Sequence, residues 1–142
     1  PSINLGKIHT LHYWLTRIGD NGMVHGGVED YHVRISDTTV GYAANAIVGD
    51  AHNGPASTAI KTLISIRRVG TAVTFYQDGL QIGAEWILAN DTDLTLTDVG
   101  RESDTQDPTF DGIIFEIAVF DIDQGRIGVR NFFEMTRRIQ GI

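Results

Sequence analysis

The sequence predicts an all-β fold, an antiparallel sandwich or barrel, with one short C-terminal helix. Three observations carry this. The 142 residues include 16 glycines set between short apolar runs, the punctuation of many turns and few long helices. The apolar runs alternate and recur roughly every 8–12 residues, which makes seven to nine short strands. Only the last stretch, VRNFFEMTRRIQGI, changes period: Val129, Phe132, Phe133, Met135 and Ile139 recur at helical spacing.

Taken in order, Ile8–Ile18 (IHTLHYWLTRI) is rich in aromatic and β-branched residues and reads as a strand. Gly19–Gly22 turns, and Met23–Gly27 is a short strand. Tyr31–Ser36 alternates cleanly. Asp37–Thr39 turns into a strand over Val40–Val48, and Gly49–Ser57 (GDAHNGPAS) is a loop by composition. Ile60–Val69 reverses near Gly70 into Ala72–Gln77. Asp78-Gly79, flanked by Phe75, Tyr76, Leu80 and Ile82, is the strongest short-range hairpin signal, and it joins that strand to Leu80–Leu88. Asp93–Val99 alternates, Gly100–Pro108 is the longest polar loop, and Ile113–Asp121 is the most apolar strand. The helix is expected over Val129–Gln140. Arg137 and Arg138 fall in its last turn, where the dipole favours cations, and Gly141 is its cap. A single domain over residues 1–142 accommodates all of this.

Composition narrows the function. A chain this long buries about 68–70% of its unfolded surface, so a core forms without staples. There is no cysteine, which removes disulfides and thiolate catalysis together. Net charge is −7 with a pI near 5.0, against the basic surface that phosphate binding needs, so nucleic acid is not an expected partner. PSINLGKIHT holds no apolar signal core, and no run approaches the roughly 18 apolar residues of a membrane helix. Synthesis without a signal peptide and no membrane association are expected.

One strand breaks its pattern. In Ile113–Phe120, the odd positions Ile113, Phe115, Ile117 and Val119 would share one face. Ile114, Ala118 and Phe120 would share the other, interrupted only by Glu116. A strand exposed on one side should be polar there. Either the C-terminal helix or a loop covers that side, or it is a contact between subunits. In the second case Ile114, Ala118, Phe120, Phe132 and Phe133 are the interface candidates. Glu116 needs a partner inside, with Arg67, Arg68 and Arg126 as candidates.

ISIRRVGTAVTFYQDGLQIG resembles the centre of laminin-G-like, concanavalin A-like jelly rolls through Val73, Phe75, Tyr76, Asp78 and Gly79. LTLTDVGRESDTQDPTFDGIIFEIAVFD is similar to the late segment of those domains through Leu96, Gly100, Phe110, Gly112, Glu116, Phe120 and Asp121. Tyr13-Trp14 in IHTLHYWLTRI looks like their early aromatic-Trp pair. The blocks run in order over residues 8–121. The resemblance implies a jelly-roll sandwich. It departs at the start, where the segment before the Trp-bearing strand is short for a full family strand.

Sites follow from both readings. Glycoside hydrolases of this architecture need two facing carboxylates about 5–5.5 Å apart. Here Glu116 stands between apolar Ile114 and Ala118, so no enzymatic activity is expected and no catalytic residue is assigned. His9, His12, His25, His32 and His52 are scattered, and His9 and His12 would point to opposite strand faces, so ordinary surface or hydrogen-bonded histidines are expected in place of a zinc site. The resemblance implies a rim of loops that binds glycans or calcium. Asp50, His52 and Asn53 in one loop and Glu102, Asp104 and Asp107 in another offer oxygen donors, although nothing fixes an ion-loop spacing and solvated turns are the alternative. No cofactor is assigned, with calcium the one candidate. Trp86 is either an aromatic platform for a glycan or a core residue.

The expectation is a non-enzymatic binding and assembly module that packs against copies of itself or another assembly protein. From the resemblance, a virion structural part comes first, a capsid decoration or tail component. The alternative is a carbohydrate-binding, lectin-like module at an extracellular surface.

Overall fold

The computed structural model describes residues 2–18, 21–26, 31–36, 39–44, 51–53, 59–89, 91–100 and 110–142. They form twelve strands and one helix: β1 (Ile3–Gly6), β2 (Ile8–Arg17), β3 (Asn21–Gly26), β4 (Tyr31–Ser36), β5 (Val40–Ala44), β6 (Ala51–Asn53), β7 (Thr62–Val69), β8 (Ala72–Gln77), β9 (Leu80–Ile87), β10 (Leu94–Leu96), β11 (Asp98–Val99), β12 (Gly112–Phe120) and α1 (Gly125–Thr136). Two antiparallel five-stranded sheets, ordered β12-β2-β7-β8-β9 and β11-β3-β4-β5-β6, face each other, and β1 pairs with β10 beside them. The all-β sandwich is as expected.

The core is what alternation delivers. Leu11, Tyr13 and Leu15 of β2 and Ile64, Ile66, Val73 and Phe75 of the same sheet meet Val33, Ile35, Val40 and Tyr42 of the other. All are buried on one side of their pleat, the arrangement that an apolar/polar period of two produces.

The hairpin is local chemistry. Asp78 and Gly79 both have positive φ, 50° and 76°, and Gln77 pairs with Leu80 across them. This is the two-residue turn whose twist matches the strands. The Asp78 carboxylate accepts from Thr62 Oγ1 and the Leu63 backbone, each at 2.9 Å, which ties the tip to β7.

Several boundaries differ. A short strand, β6, lies inside the stretch read as loop by composition. The segment before the Trp-bearing strand forms β1, whose partner is β10. The helix begins at Gly125, four residues before its expected start, because Asp123 Oδ1 accepts from the Gly125 N–H at 2.7 Å and opens the first turn. Its regular part ends at Thr136. Ile139 is 81% exposed, and of the expected apolar stripe only Val129 and Phe132 are buried, with Thr136 completing that face. Gly141 closes the C-terminus as expected: at φ 77° it lets Ile142 N–H bond Arg137 O and Gly141 N–H bond Arg138 O.

The apolar strand is resolved by a bulge. β12 shifts register between Ile114 and Glu116, so Ile114 faces Leu15 while Glu116 faces Trp14. Ile114 therefore joins Ile117 and Val119 against the main core, correcting its place with Ala118 and Phe120. Phe115, the extra residue, is 44% exposed, with Lys61 Nζ 4.0 Å from its ring centroid. Glu116 accepts from Gln140 Nε2 at 2.8 Å; none of the three arginines proposed for it is the partner found.

Candidate functional site

The outer face of the β12-β2-β7 layer is covered from within the chain. Trp14, Leu63 and Phe132 form a second cluster, with Ala118, Phe120 and Phe133 packed against it. Trp14 Nε1 donates to Thr136 Oγ1 at 2.9 Å, and Thr136 in turn donates to Phe132 O. His12 stacks on Phe132, centroids 4.0 Å apart. Its Nε2–H donates to the Gln124 carbonyl oxygen and its Nδ1 accepts from Ser65, both at 2.7 Å. Burial pulls His12 down to about 4, opposed only by the Gln124 bond. Of the two covers the sequence left open for this face, α1 is the one in place. The side chains of Ala118, Phe120, Phe132 and Phe133 are engaged by the chain itself, and Ile114 lies in the core.

The inner face carries a polar row. His9, Arg68, Val73 and Trp86 are register partners across β2, β7, β8 and β9. Arg68 is fully buried. It donates to Gly70 O, to Tyr42 Oη and to Thr92 O, and lies 3.6 Å from Asp91. Tyr42 Oη and His9 Nε2 share a hydrogen bond of 3.0 Å. The buried His9 Nδ1 has no hydrogen-bond partner among the described residues. Burial first, and then the Arg68 charge, pull His9 down to about 4. Burial pushes the Tyr42 phenol well up, against the pull of Arg68. His9 and His12 do lie on opposite faces, and neither is a surface residue.

At the end of that row stands Trp86. Its neighbours on the same face of the sheet, Val73 and Leu88, are in the core, yet Trp86 is 41% exposed. It sits on an edge strand, and β6, the edge strand of the opposite sheet, lies against β9. Trp86 is thus an inward-facing indole that lies outside the core, beside the contact of the two edge strands. Ile87, next along β9, is 61% exposed, as is Leu80 at the far end of the strand, at 57%.

The expected rim divides around this edge. The backbones of His52 and Asn53 lie on β6, next to the strand of Trp86. Asp50 lies outside the described residues, as do Glu102, Asp104 and Asp107. The loop carrying those three acids is anchored elsewhere: Gly100 follows β11 and Phe110 precedes β12, both strands at the other sheet edges. Its neck is pinned by Phe110 N–H to Gly100 O and Gly100 N–H to Val24 O, each 2.8 Å. Of the expected rim residues, Trp86 and the backbones of His52 and Asn53 are described, and they lie on neighbouring strands. Among the described residues no group of three or more His, Asp or Glu side chains is placed to hold a metal.

Comparison with known proteins fits the fold and stops there. No protein-family model matches the chain, and no curated protein matches it in sequence. Among solved structures, the native heptameric SAP-like pentraxin from Limulus polyphemus is similar, with TM-score 0.73 and 11% identity over 92% of this chain and 70% of that one. CBM40 of the Ruminococcus gnavus IT-sialidase, bound to α2,3-sialyllactose, gives 0.61 and 11% over 89% and 83%. Botulinum neurotoxin type C, described as interacting with two ganglioside molecules, gives 0.65 and 9%, over 91% of this chain but only 36% of the toxin chain. The fold shared with them is a jelly-roll β-sandwich.

Proposed function

We propose that this chain is a carbohydrate-binding, lectin-like module that meets its glycan at the β6–β9 edge, with Trp86 as the stacking surface. The observation that carries the reading is Trp86 itself: an inward-facing indole left 41% exposed beside the contact of the two edge strands. An indole offers a sugar ring a flat apolar face and one N–H donor, and the rigid antiparallel ladder beneath fixes its position. The likeness to a sialyllactose-bound CBM40 and a ganglioside-interacting toxin adds support to the glycan reading. The virion part that sequence context put first draws none from these likenesses. Self-association stays part of the proposal, to be read by light scattering.

The two tryptophans make the test simple, because Trp14 is buried and Trp86 is not. Glycans selected on a glycan array should change the Trp86 fluorescence on titration. Trp86→Ala should weaken binding about tenfold or more while leaving the melting temperature close to wild type. Full binding by Trp86→Ala would refute the assignment of this edge. Titration with and without a chelator reads out any calcium dependence.

A further inference from the structure

We infer that the outward face of α1 docks a second copy of this chain, its arginines and apolar side chains meeting the acidic neck between β11 and β12 of that copy. The inference rests on the self-association proposed above, to which it gives a surface, and not on the Trp86 edge.

The inward face of α1 is spent on His12 and Trp14. Side chains four apart on a helix line up, and two such rows run along the outward face. One is Arg126, Arg130, Glu134 and Arg138; the other is Ile127, Asn131, Met135 and Ile139. All eight are exposed. Gln140 N–H bonds Thr136 O at 3.0 Å, so the helical path carries both rows past the regular end of α1. Arg137 holds Glu134 at 2.9 Å, which leaves Arg126, Arg130 and Arg138 without a carboxylate partner among the described residues. The solvent side of a surface helix is ordinarily polar. Here Ile127 is 77% and Met135 67% exposed, beside a row of unpaired cations, which is the make-up of a contact surface.

Charge selects the occupant. Residues 124–142 hold four arginines and one acid, a net +3, while residues 1–123 hold seven basic and seventeen acidic side chains, a net −10. Two α1 faces set against each other would bring like charges together, and an anionic bilayer would repel the rest of the chain. The chain's own acidic pole fits. Residues 91–111 hold seven acids and one base, Arg101. At the end of that stretch Asp111 is exposed, its carbonyl accepts from Ile18 N–H at 2.8 Å, and Phe110 beside it bonds Gly100. Ile18, Val99 and Ile113 around this neck are exposed as well. The neck joins acid to apolar surface, as α1 joins base to apolar surface. Exposed ion pairs contribute little one at a time. The apolar rows therefore supply the buried area, and the charges set which faces meet. The two surfaces share no residue, so copies add head to tail or as a reciprocal pair.

Light scattering over a concentration series tests this. At low salt the mass should rise above the 15.6 kDa of one chain, and it should fall back as salt screens the pairs. Arg126→Glu combined with Arg130→Glu should hold the mass at one chain, and so should Asp111→Arg, each with a melting temperature close to wild type. Mixed in equal amounts, the two variants should associate again, because each supplies the surface that the other has lost; a mixture that stays at one chain overturns the inference. A wild-type mass of one chain at every concentration overturns it together with the self-association. A rise that both variants keep leaves self-association standing and removes α1 as its surface. A single-chain protein that sediments with phosphatidylserine vesicles through Arg126 and Arg130 would show that this face takes lipid in place of a copy. Trp86 fluorescence with glycans, followed in the same variants, judges the glycan edge separately.

Discussion

The chain's two tryptophans have opposite fates. Trp14 sits on the outer face of β2, the side a sandwich ordinarily shows to water, yet it is fully buried. Trp86 sits on the inner face of β9, the side that ordinarily makes the core, yet it is 41% exposed. Strand parity predicts the reverse. What decides each case is the next layer: α1 lies over Trp14 and offers Thr136 to its N–H, while Trp86 stands on the edge strand β9 and keeps 41% of its surface exposed. One indole is sealed in by the chain and the other stays exposed.

Four measurements sharpen or break that contrast. The largest effect at a single residue is expected from Trp14→Ala, which empties a buried site and orphans the Thr136 contact; chemical denaturation should show a loss of about 3–5 kcal/mol. Trp86→Ala should cost no more than about 0.5 kcal/mol in the same experiment. A comparable cost at both positions would mean that Trp86 is core after all.

Next comes pH. His9 and His12 are both held near 4 in the fold, below an ordinary value of 6.5. As pH falls, the unfolded chain takes up these protons first, so stability is complete above about 6.5 and drains away towards 4. The drop should be about 3 kcal/mol per histidine, levelling below that window. His12→Gln should remove about half of the pH dependence and leave the Trp86 edge working. Stability that stays flat between pH 7 and 4 would show that neither ring is sealed.

Gly79→Ala comes third. At φ 76° a side chain is strained, and its Cβ would meet Phe133 Cβ at 3.2 Å and Arg130 Cα at 3.3 Å. The variant should lose about 1–3 kcal/mol and loosen the helix cover, seen as a red shift of Trp14 emission. The smallest effect belongs to Asp123→Asn. The bidentate pair with Arg67 is partly exposed, so despite a 2.8 Å contact the loss should stay near 1 kcal/mol or below and shrink with salt.

Much of the fold was legible beforehand. Tyr31–Ser36 and Ala72–Gln77 are strands at their expected bounds, and the Gly141 cap is where the pattern put it. The candidate site was legible in part. Trp86 was singled out with its two fates left open, and His52 and Asn53 arrive beside its strand through pairing that no local signal announces. The acids at 102, 104 and 107 were grouped with them on polarity, and they lie outside the described residues. Polarity marks a loop without saying at which edge the loop begins.

By itself the sequence determined what depends on near neighbours: the positive-φ turn at Asp78-Gly79, the period of two in each strand, and the change of period at the C-terminal helix. These follow from backbone sterics and from which face each residue can reach within a few positions. Only the tertiary structure decided which faces were covered. The β12 bulge that sends Ile114 inward, the burial of Arg68 against Tyr42, the helix over Trp14 and the exposure of Trp86 all depend on contacts between distant segments. A side chain's alternation states that it has two faces to choose from; solvent exposure is settled by whatever the rest of the chain lays across each one.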